Sequence, residues 1–329
     1  MNGGDRALNE TILSVKNLTV EYKSRETGVC HAVNNVSFEV RKGETIGLVG
    51  ETGAGKTTIA LSIMRLLPMP PGRVVSGEIL LSGENILAMP NAKMRNIRGD
   101  KVSMIFQDPM TALNPIDKVG DQISEMVRLH LKLNRADAAA KAAEMLETVG
   151  IPSTRFNDYP HQFSGGMKQR VIIAIALACK PELLLADEPT TALDVTIQAQ
   201  VLNMMKELKN EFGTSMVLIT HDLGVVAETC DRVAVVYAGE IVEIGTADAV
   251  FEKRSHPYTR GLFDSLPDIT GARKRLIPIV GLMPDPTALP KGCKFSPRCP
   301  LADDACRQAP VELASVSDTH LVRCIKAAE

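Results

Sequence analysis

One eight-residue segment of this 329-residue chain fits the pattern G-x-x-x-x-G-K-[ST] at every position, and it reads Gly50-Glu51-Thr52-Gly53-Ala54-Gly55-Lys56-Thr57. Glycines let the backbone N–H groups of such a loop converge on phosphate oxygens, and the helix that follows points its positive end at the same place. Lys56 has the reach to contact β- and γ-phosphates, the Thr57 hydroxyl can bind Mg²⁺, and Thr58 extends the segment. The segment therefore predicts a site for a nucleoside triphosphate with Mg²⁺.

The residues around this loop alternate between predicted strands and predicted helices. An apolar strand over 45–50 runs into the loop, and a helix is expected over 56–67, ended by Pro68. Further elements follow along the chain: a helix over 135–149 that begins after Asn134, a strand over 183–187, a helix over 194–212, and strands over 215–220 and 233–237. This alternation indicates an α/β fold with a mostly parallel sheet that helices cover on both faces.

Two carboxylates, Asp187 and Glu188, end the predicted strand over 183–187. With a phosphate-binding loop upstream, Asp187 is expected to hold Mg²⁺ directly or through a water molecule. Glu188 lies one residue further along and faces elsewhere, where it can act as the general base that polarises the attacking water. The pair therefore predicts that the nucleotide is hydrolysed.

A second glycine-rich segment, Phe163-Ser164-Gly165-Gly166-Met167-Lys168-Gln169-Arg170, precedes an apolar helix predicted over 171–179. It forms another helix N-terminus suited to phosphate, and it resembles the signature sequence of the ABC ATPases. The resemblance implies that two ATPase domains pair head to tail, and that Ser164, Gly165 and Gly166 of one domain close over the ATP of the other. Hydrolysis would then let the two domains separate.

Other segments resemble the remaining motifs of the ABC ATPases, in the same order along the chain. Gln107 matches the Q-loop, and the resemblance implies that its amide contacts Mg²⁺ and the attacking water. The segment 192–194 matches the D-loop, which crosses the dimer interface in that family, and His221 matches the switch histidine that contacts the γ-phosphate. Tyr22 matches the aromatic residue that stacks on adenine.

The resemblance also implies a fold and a division into domains. A P-loop ABC ATPase has a mostly parallel sheet, an antiparallel β subdomain and a helical subdomain, expected here within residues 1–250, with the helical subdomain over about 108–165. Residues 251–329 contain nine of the 19 prolines and four of the seven cysteines. A small C-terminal domain rich in cysteine and proline is therefore expected over 251–329.

Four segments narrow the resemblance to the ATPases of dipeptide and oligopeptide importers: 106–115, 159–166, 256–260 and 292–300. The resemblance implies a subunit that powers peptide import from the cytoplasmic face of the inner membrane, bound peripherally to two transmembrane permease subunits. It also implies a second ATPase subunit, related but different in sequence, and an extracytoplasmic substrate-binding protein. The choice among dipeptides, longer peptides and other solutes stays open.

The last of these segments carries some of the cysteines of the C-terminal extension. Cys293, Cys299, Cys306 and Cys324 are separated by five, six and 17 residues, which is not the spacing of a zinc ribbon. A cytosolic chain argues against disulfides, so Zn²⁺, an iron–sulfur cluster and unpaired thiols stay open from the residues alone. The importer ATPases that the extension resembles carry a [4Fe–4S] cluster on four such cysteines. The resemblance therefore implies that cluster, with Zn²⁺ as the alternative, while His256 and Tyr258 are expected only to begin a helix.

Composition and charge argue against several other classes. With 37 basic and 39 acidic residues, the chain has no excess of positive charge to attract nucleic acid. Residues 1–10 lack the pattern of a signal peptide, and the longest apolar run, 171–179, is too short to cross a bilayer. Cys30, Cys179 and Cys230 are scattered along the chain and are expected to be free, half-buried thiols.

Two other functions compete with transport. The first is an ABC ATPase that acts on nucleic acid or ribosomes. The DNA-linked types usually insert long coiled coils, and the ribosomal types carry two ATPase units, whereas this chain has no heptads between Lys56 and Asp187 and a single unit. The second is a metal-binding or scaffold protein without catalysis, which the intact Lys56, Asp187, Glu188 and His221 argue against.

Overall fold

The structure is a computed structural model that describes residues 10–24, 28–191, 193–265 and 278–327. Its strands, numbered in chain order, are β1 (Thr11–Ser24), β2 (Gly28–Arg41), β3 (Thr45–Val49), β4 (Gly72–Leu81), β5 (Glu84–Asn85), β6 (Val102–Ile105), β7 (Leu183–Asp187), β8 (Ser215–Ile219), β9 (Arg232–Tyr237), β10 (Glu240–Thr246), β11 (Ala314–Ser317) and β12 (His320–Val322). β3, β7 and β8 are buried at every residue. The four strands predicted from apolar runs therefore form, as β3, β7, β8 and β9.

The helices are spread from residue 56 to residue 308. They are α1 (Lys56–Met64), α2 (Asn91–Ile97), α3 (Pro109–Ala112), α4 (Val119–Leu131), α5 (Arg135–Thr148), α6 (Gly165–Leu177), α7 (Val195–Phe212), α8 (Leu223–Thr229), α9 (Ala247–Glu252), α10 (Pro257–Asp264) and α11 (Ala305–Gln308). Three 3₁₀ helices span Ile86–Ala88, Ser153–Asn157 and Pro160–Gln162. Across the described ranges, no helix combines the length and the apolar character that a membrane span needs.

The first helix ends earlier than the range 56–67 predicted for it. α1 stops at Met64, because Arg65 adopts a left-handed conformation with φ of 50°. The Arg65 N–H binds the carbonyl oxygens of Leu61 and Ser62, which satisfies two acceptors of the last turn. Backbone conformation therefore ends the helix before Pro68 does.

Polar side chains set the start of two other helices. Ser164 caps α6, so this helix begins at Gly165 and not at the apolar run 171–179 that predicted it. Asn134 caps α5 as predicted, and its side chain accepts a hydrogen bond from Asp137 N at 3.0 Å.

The described residues form two compact units, each built from separate stretches of chain. The phosphate-loop unit contains 14–24, 28–39, 46–80, 219–265 and 278–327, and the helical unit contains 10–13, 40–45, 81–191 and 193–218. The C-terminal extension thus lies in the same unit as the predicted phosphate-binding loop.

In the phosphate-loop unit, strand β9 has parallel and antiparallel neighbours. β3 pairs with β9 in parallel, with Ile46 opposite Arg232 and Val49 opposite Val235. On its other side, β9 pairs antiparallel with β10, β10 with β12, and β12 with β11. The sheet is therefore mixed here, because β10 pairs antiparallel with β9, and β12 and β11 of the extension continue the antiparallel part.

The helical unit combines a parallel strand pair with helices. β6 and β7 run parallel, with Val102 opposite Leu183 and Ile105 opposite Ala186. Helices α4 and α5 pack against each other and against α6, and α6 packs on α7. Helices α3, α4 and α5 fall within the helical subdomain expected over about 108–165.

A buried carboxylate joins β10 to the extension. Glu243 and His320 are both shielded from solvent, and His320 Nε2 lies 2.7 Å from a Glu243 carboxylate oxygen. The same carboxylate accepts hydrogen bonds from Ser255 N at 2.8 Å and His256 N at 2.9 Å. Three hydrogen-bonding partners therefore surround one buried carboxyl group, as a buried polar group requires.

Candidate nucleotide-binding site

The loop between β3 and α1 brings two of its glycines against other backbone. Gly50 has φ of 149°, and a Cβ there would lie 2.1 Å from the carbonyl oxygen of Val236. Gly55 has φ of 103°, and its Cβ would lie 2.4 Å from the carbonyl oxygen of Ala32. The path of the loop therefore requires glycine at both positions.

The lysine of the loop is buried against the loop's own carbonyl groups. Lys56 is 6% exposed, and its Nζ donates hydrogen bonds to Gly50 O at 2.7 Å and Glu51 O at 2.9 Å. These contacts hold the ammonium group at the loop, where a phosphate could replace a carbonyl as its partner.

The first turn of α1 suits an anion. Its cap residue, Gly55, offers no side-chain cap, and the turn contains no acidic residue. N–H groups at such a helix end are available to phosphate oxygens. Thr57 is exposed beside them, and the Tyr22 hydroxyl lies 3.4 Å from Thr58 Oγ1, so Tyr22 is adjacent to α1.

His221 lies just beyond the end of β8 and is exposed. The preceding residue, Thr220, donates its N–H to Leu48 O of β3 at 3.4 Å. Asp222 then caps α8 by accepting hydrogen bonds from the first backbone amides of that helix. The end of β8 is therefore beside the strand that enters the phosphate-binding loop, and His221 belongs to the same unit as that loop.

In the helical unit, two predicted catalytic residues are hydrogen-bonded. Gln107 and Glu188 follow the ends of the neighbouring parallel strands β6 and β7, and Gln107 Nε2 donates to Glu188 Oε2 at 2.9 Å. Thr191 Oγ1 also donates to that oxygen, at 3.0 Å. Glu188 has φ of 46°, a conformation that is uncommon for a residue other than glycine. Asp187, the last residue of β7, is 2% exposed.

The signature segment begins α6 at an exposed surface. Ser164 is exposed, and its Oγ accepts the N–H of Met167 at 3.4 Å. A Cβ on Gly166 would lie 2.7 Å from Ile197 Cγ2, whereas a Cβ on Gly165 would meet no atom closer than 3.8 Å. Gly166 therefore allows α6 and α7 to approach closely.

The predicted nucleotide-site residues are divided between the two units. Tyr22, the loop 50–58 and His221 lie in the phosphate-loop unit. Gln107, the signature residues 164–166, Asp187 and Glu188 lie in the helical unit. Ala192, the first residue of the predicted D-loop, falls outside the described residues.

Three residues with direct contacts to this machinery were not predicted. Arg298 and Tyr258 of the extension bind Glu51 of the loop, and Thr191 binds Glu188. Arg298 is 247 positions from Glu51, so no local spacing could indicate the contact. Tyr258 does begin a helix as expected, since α10 starts at Pro257, but it also contacts the loop.

The four cysteines of the extension line one cavity. Cys293, Cys299, Cys306 and Cys324 share its wall with His256. All seven cysteines of the chain are free thiols in the structure. In the described ranges, however, no group of three or more His, Cys, Asp or Glu side chains is arranged to hold a metal ion. The side-chain arrangement therefore supports neither the predicted [4Fe–4S] cluster nor its Zn²⁺ alternative.

Burial is the main cause of the raised pKa values of three cysteines in this cavity, Cys293, Cys299 and Cys324. It raises the pKa of Cys293 to about 11, and the nearby Cys324 and Cys299 raise it further. Burial also raises the pKa of Cys299 and of Cys324, each with a smaller contribution from Cys306. These three thiols therefore stay protonated at neutral pH unless a cation stabilises the thiolate.

Comparison with known proteins first gives the class. Residues 33–191 match the family model described as "ABC transporter", and residues 242–306 match "Oligopeptide/dipeptide transporter, C-terminal region". A dimeric ATP-binding cassette, MJ0796, solved in a post-hydrolysis state with ADP and phosphate, is similar over 71% of this chain and 98% of its own, with 28% identity and a TM-score of 0.64. Together with the phosphate-binding loop, these matches make the chain an ABC-type ATPase.

Relatives of similar length then give the family. The chain is 48% identical over 323 residues to a probable peptide ABC transporter ATP-binding protein of Sinorhizobium fredii, covering 97% of this chain and 96% of the relative. It is 47% identical to the oligopeptide transport ATP-binding protein OppD of Haemophilus influenzae, covering 97% and 98%. The dipeptide transport ATP-binding protein DppD of Bacillus subtilis is 49% identical, with 96% and 94% covered. The chain therefore belongs to the family of peptide-transport ATP-binding proteins. This membership does not favour the alternative function, which was action on nucleic acid or ribosomes.

Proposed function

We propose that this chain is the ATP-hydrolysing subunit of an importer for dipeptides or oligopeptides. The observation that carries the proposal is the match to peptide-transport ATP-binding proteins along nearly the whole chain, including the C-terminal region. Residues 1–250 would bind and hydrolyse ATP, and residues 251–329 would form the extension. The subunit would sit peripherally on the cytoplasmic face of the inner membrane.

The partners follow from that role. Two transmembrane permease subunits would receive the mechanical work, and an extracytoplasmic protein would deliver the peptide. A second ATPase chain, related but different, would complete the nucleotide sites. Nucleic acid is not a partner.

In the bound state, the loop and its flanking residues would hold ATP. Gly50 to Thr58 would bind the phosphates with Lys56, and Tyr22 would stack on adenine. Support comes from the buried Lys56 ammonium and from the uncapped first turn of α1. Thr57, Gln107 and Asp187 would hold Mg²⁺, which when bound neutralises charge on the phosphates.

Glu188 would act as general base for the attacking water, with His221 contacting the γ-phosphate. The hydrogen bonds from Gln107 and Thr191 support this role, because they orient the Glu188 carboxylate. Glu188 also has the positive φ of a residue whose conformation its surroundings enforce. The carboxylate would take a proton from water as the oxygen attacks the γ-phosphorus and ADP leaves.

Ser164, Gly165 and Gly166 would close over the ATP of the second ATPase chain. Two bound ATP molecules would thus hold the two chains together, and hydrolysis would release them. The exposed Ser164 at the start of α6 supports this role, since a helix N-terminus at the surface can receive phosphate from another molecule.

Substitution of the base tests the proposal. In the assembled transporter, Glu188→Gln should lower the ATP hydrolysis rate by about 10²- to 10⁴-fold while ATP still binds and the two ATPase chains stay associated. The measurements are phosphate release and size-exclusion chromatography with ATP. A normal hydrolysis rate would refute the base assignment. Recovery of the wild-type chain with ribosomes or DNA, and not with permease subunits, would refute the transport role.

We also propose that the four cysteines of the extension hold a [4Fe–4S] cluster. A cluster is wider than one ion, so thiols spaced around a shared cavity suit it although they are not arranged for a single metal ion. The donor set is thiol only, which iron–sulfur chemistry prefers. His256 also lines this cavity: its Nδ1 accepts from Tyr258 N at 3.0 Å, and its buried Nε2 has no hydrogen-bond partner among the described residues.

Anaerobic purification of the full chain tests the cluster. Iron and acid-labile sulfide should each approach four per chain, and Cys299→Ser should lose both. The cluster would serve as a staple for a small domain. Zinc in place of iron would overturn the proposal, and so would a metal-free chain that keeps the same unfolding midpoint as an anaerobically purified one.

A further inference from the structure

Two residues of the C-terminal extension contact the second residue of the phosphate-binding loop. Arg298 Nη1 donates hydrogen bonds to both carboxylate oxygens of Glu51 at 3.1 Å. The Tyr258 hydroxyl accepts a hydrogen bond from Glu51 N at 2.9 Å. The Arg298 side chain is 5% exposed and that of Glu51 is 31% exposed, so solvent screens this ion pair only in part.

The extension holds Arg298 independently of Glu51. Arg298 Nε donates to Val280 O at 3.2 Å, and Nη2 donates to Ile279 O at 3.4 Å. Its guanidinium also lies 5.8 Å from the ring centroid of Tyr237 and 6.0 Å from that of Phe295. The backbone and rings around it therefore set the position of the guanidinium.

Tyr258 is held equally firmly. Its ring is fully buried and lies 4.5 Å from Tyr237 and 5.4 Å from Phe295, measured between ring centroids. Burial raises the pKa of Tyr258 well above its usual value, so its oxygen stays a neutral phenol that accepts the Glu51 N–H at neutral pH.

Glu51 passes these contacts on to the lysine of the loop. Its carbonyl oxygen accepts hydrogen bonds from Lys56 Nζ at 2.9 Å and Ala54 N at 3.2 Å. The carboxylate and the N–H of Glu51 therefore bind the extension, while its carbonyl group binds the residues that face the nucleotide. A displacement of Glu51 would move the Lys56 ammonium with it.

We propose that Arg298 and Tyr258 are positioning residues of the nucleotide site, which fix Glu51 so that the loop and Lys56 keep the shape that receives the phosphates of ATP. The inference rests on the proposed role of Lys56 and the loop in binding ATP. It gives the extension a part in nucleotide binding that is separate from any role of its cysteines. Both residues act through Glu51, and their removal should weaken ATP binding more than it slows the chemical step.

The test compares two arginines that each directly precede a cysteine of the extension. Arg298→Met removes the contact with the loop, whereas Arg323→Met removes a side chain that donates to Ile241 O and Val311 O. In the full chain, Arg298→Met should raise the Kd for ATP about tenfold, because charge-assisted hydrogen bonds to the loop are lost. Arg323→Met should leave the Kd unchanged. In the assembled transporter, Arg298→Met should raise KM more than it lowers kcat.

Two further variants keep the test decisive. Arg298→Lys retains the charge but not the fork of donors, and should recover part of the affinity. Tyr258→Phe deletes one oxygen, should raise the Kd about threefold, and carries the test if Arg298→Met fails to fold. Iron content and unfolding temperature are measured for every variant.

Different outcomes test the positioning role of Arg298 and the proposed nucleotide site separately. Equal Kd values for Arg298→Met and Arg323→Met, whether both normal or both raised, would overturn the positioning role. A normal Kd for Lys56→Ala would instead overturn the proposed nucleotide site itself. An Arg298→Met effect that persists at full size in a Glu51→Gln background would show that Arg298 does not act through Glu51.

Discussion

Helices α1 and α6 both begin at a glycine-rich segment predicted to receive phosphate, yet their first turns differ. α1 follows Gly55, carries no side-chain cap, and starts with the buried Lys56. α6 follows Ser164, whose exposed hydroxyl caps the helix by accepting from Met167 N. The α1 site is thus built by contacts within the chain, whereas the α6 site is open at the surface. The difference fits one end that binds this chain's nucleotide and another that completes a site on a second chain.

The largest expected effect is loss of the α1 lysine. Lys56→Ala should raise the Kd for ATP by about 100-fold or more, since in the proposed site the ammonium would make several charge-assisted hydrogen bonds to phosphate. The matched control is Lys209→Ala, which removes another buried lysine whose Nζ donates to Thr45 Oγ1 at 3.1 Å. Calorimetric titration of both full-length variants gives the comparison. A similar loss of affinity in both would mean that buried lysines act through stability alone.

A smaller effect should separate the two glycines that begin α6. Gly166→Ala should lower the free energy of unfolding by about 2 kcal/mol, because its Cβ would press on Ile197. Gly165→Ala should change it by less than about 0.5 kcal/mol, since space for a Cβ is present. Urea unfolding measures both. Equal losses would show that α6 does not need its close approach to α7.

The smallest effect concerns the cap of α6. Ser164→Ala should leave the Kd of the isolated chain for ATP unchanged but lower hydrolysis in the assembled transporter about tenfold, because the proposed donor to the second chain's phosphate would be lost. Asn134→Ala is the control, since it removes a cap of the same kind from α5. Comparable losses of activity in both variants would show that Ser164 acts only as a helix cap.

Local patterns predicted several strands and helices of the fold, because apolar runs and caps act over a few residues. The strands β3, β7, β8 and β9 and the start of α5 at Asn134 follow directly from such runs. The end of α1 does not follow from the sequence pattern, because Arg65 adopts a left-handed conformation that its residue type does not favour. A backbone conformation of this kind depends on tertiary packing, and the hydrophobic periodicity of the sequence does not indicate it.

Within the candidate site, the residues of the motifs were predictable from the sequence, but the residues that hydrogen-bond to them were not. The loop and the carboxylates are recognised by type and spacing, and Gln107 and Glu188 prove to be hydrogen-bonded. Arg298 and Thr191 carry no motif of their own, and the contact of Arg298 joins residues 247 positions apart. Such long-range contacts become visible only when the chain is folded.

The carboxylate of Glu243 bears on how this protein can be cut or shortened. A fragment that stopped at residue 250 would keep this buried acid but lose His320 and the amides of Ser255 and His256 that surround it. Strand β10 would also lose its partner β12 and gain a bare edge. A frameshift or early stop codon within the extension would therefore also destabilise the unit that contains β10. Expression of a chain truncated before the extension should yield a product that is prone to aggregation.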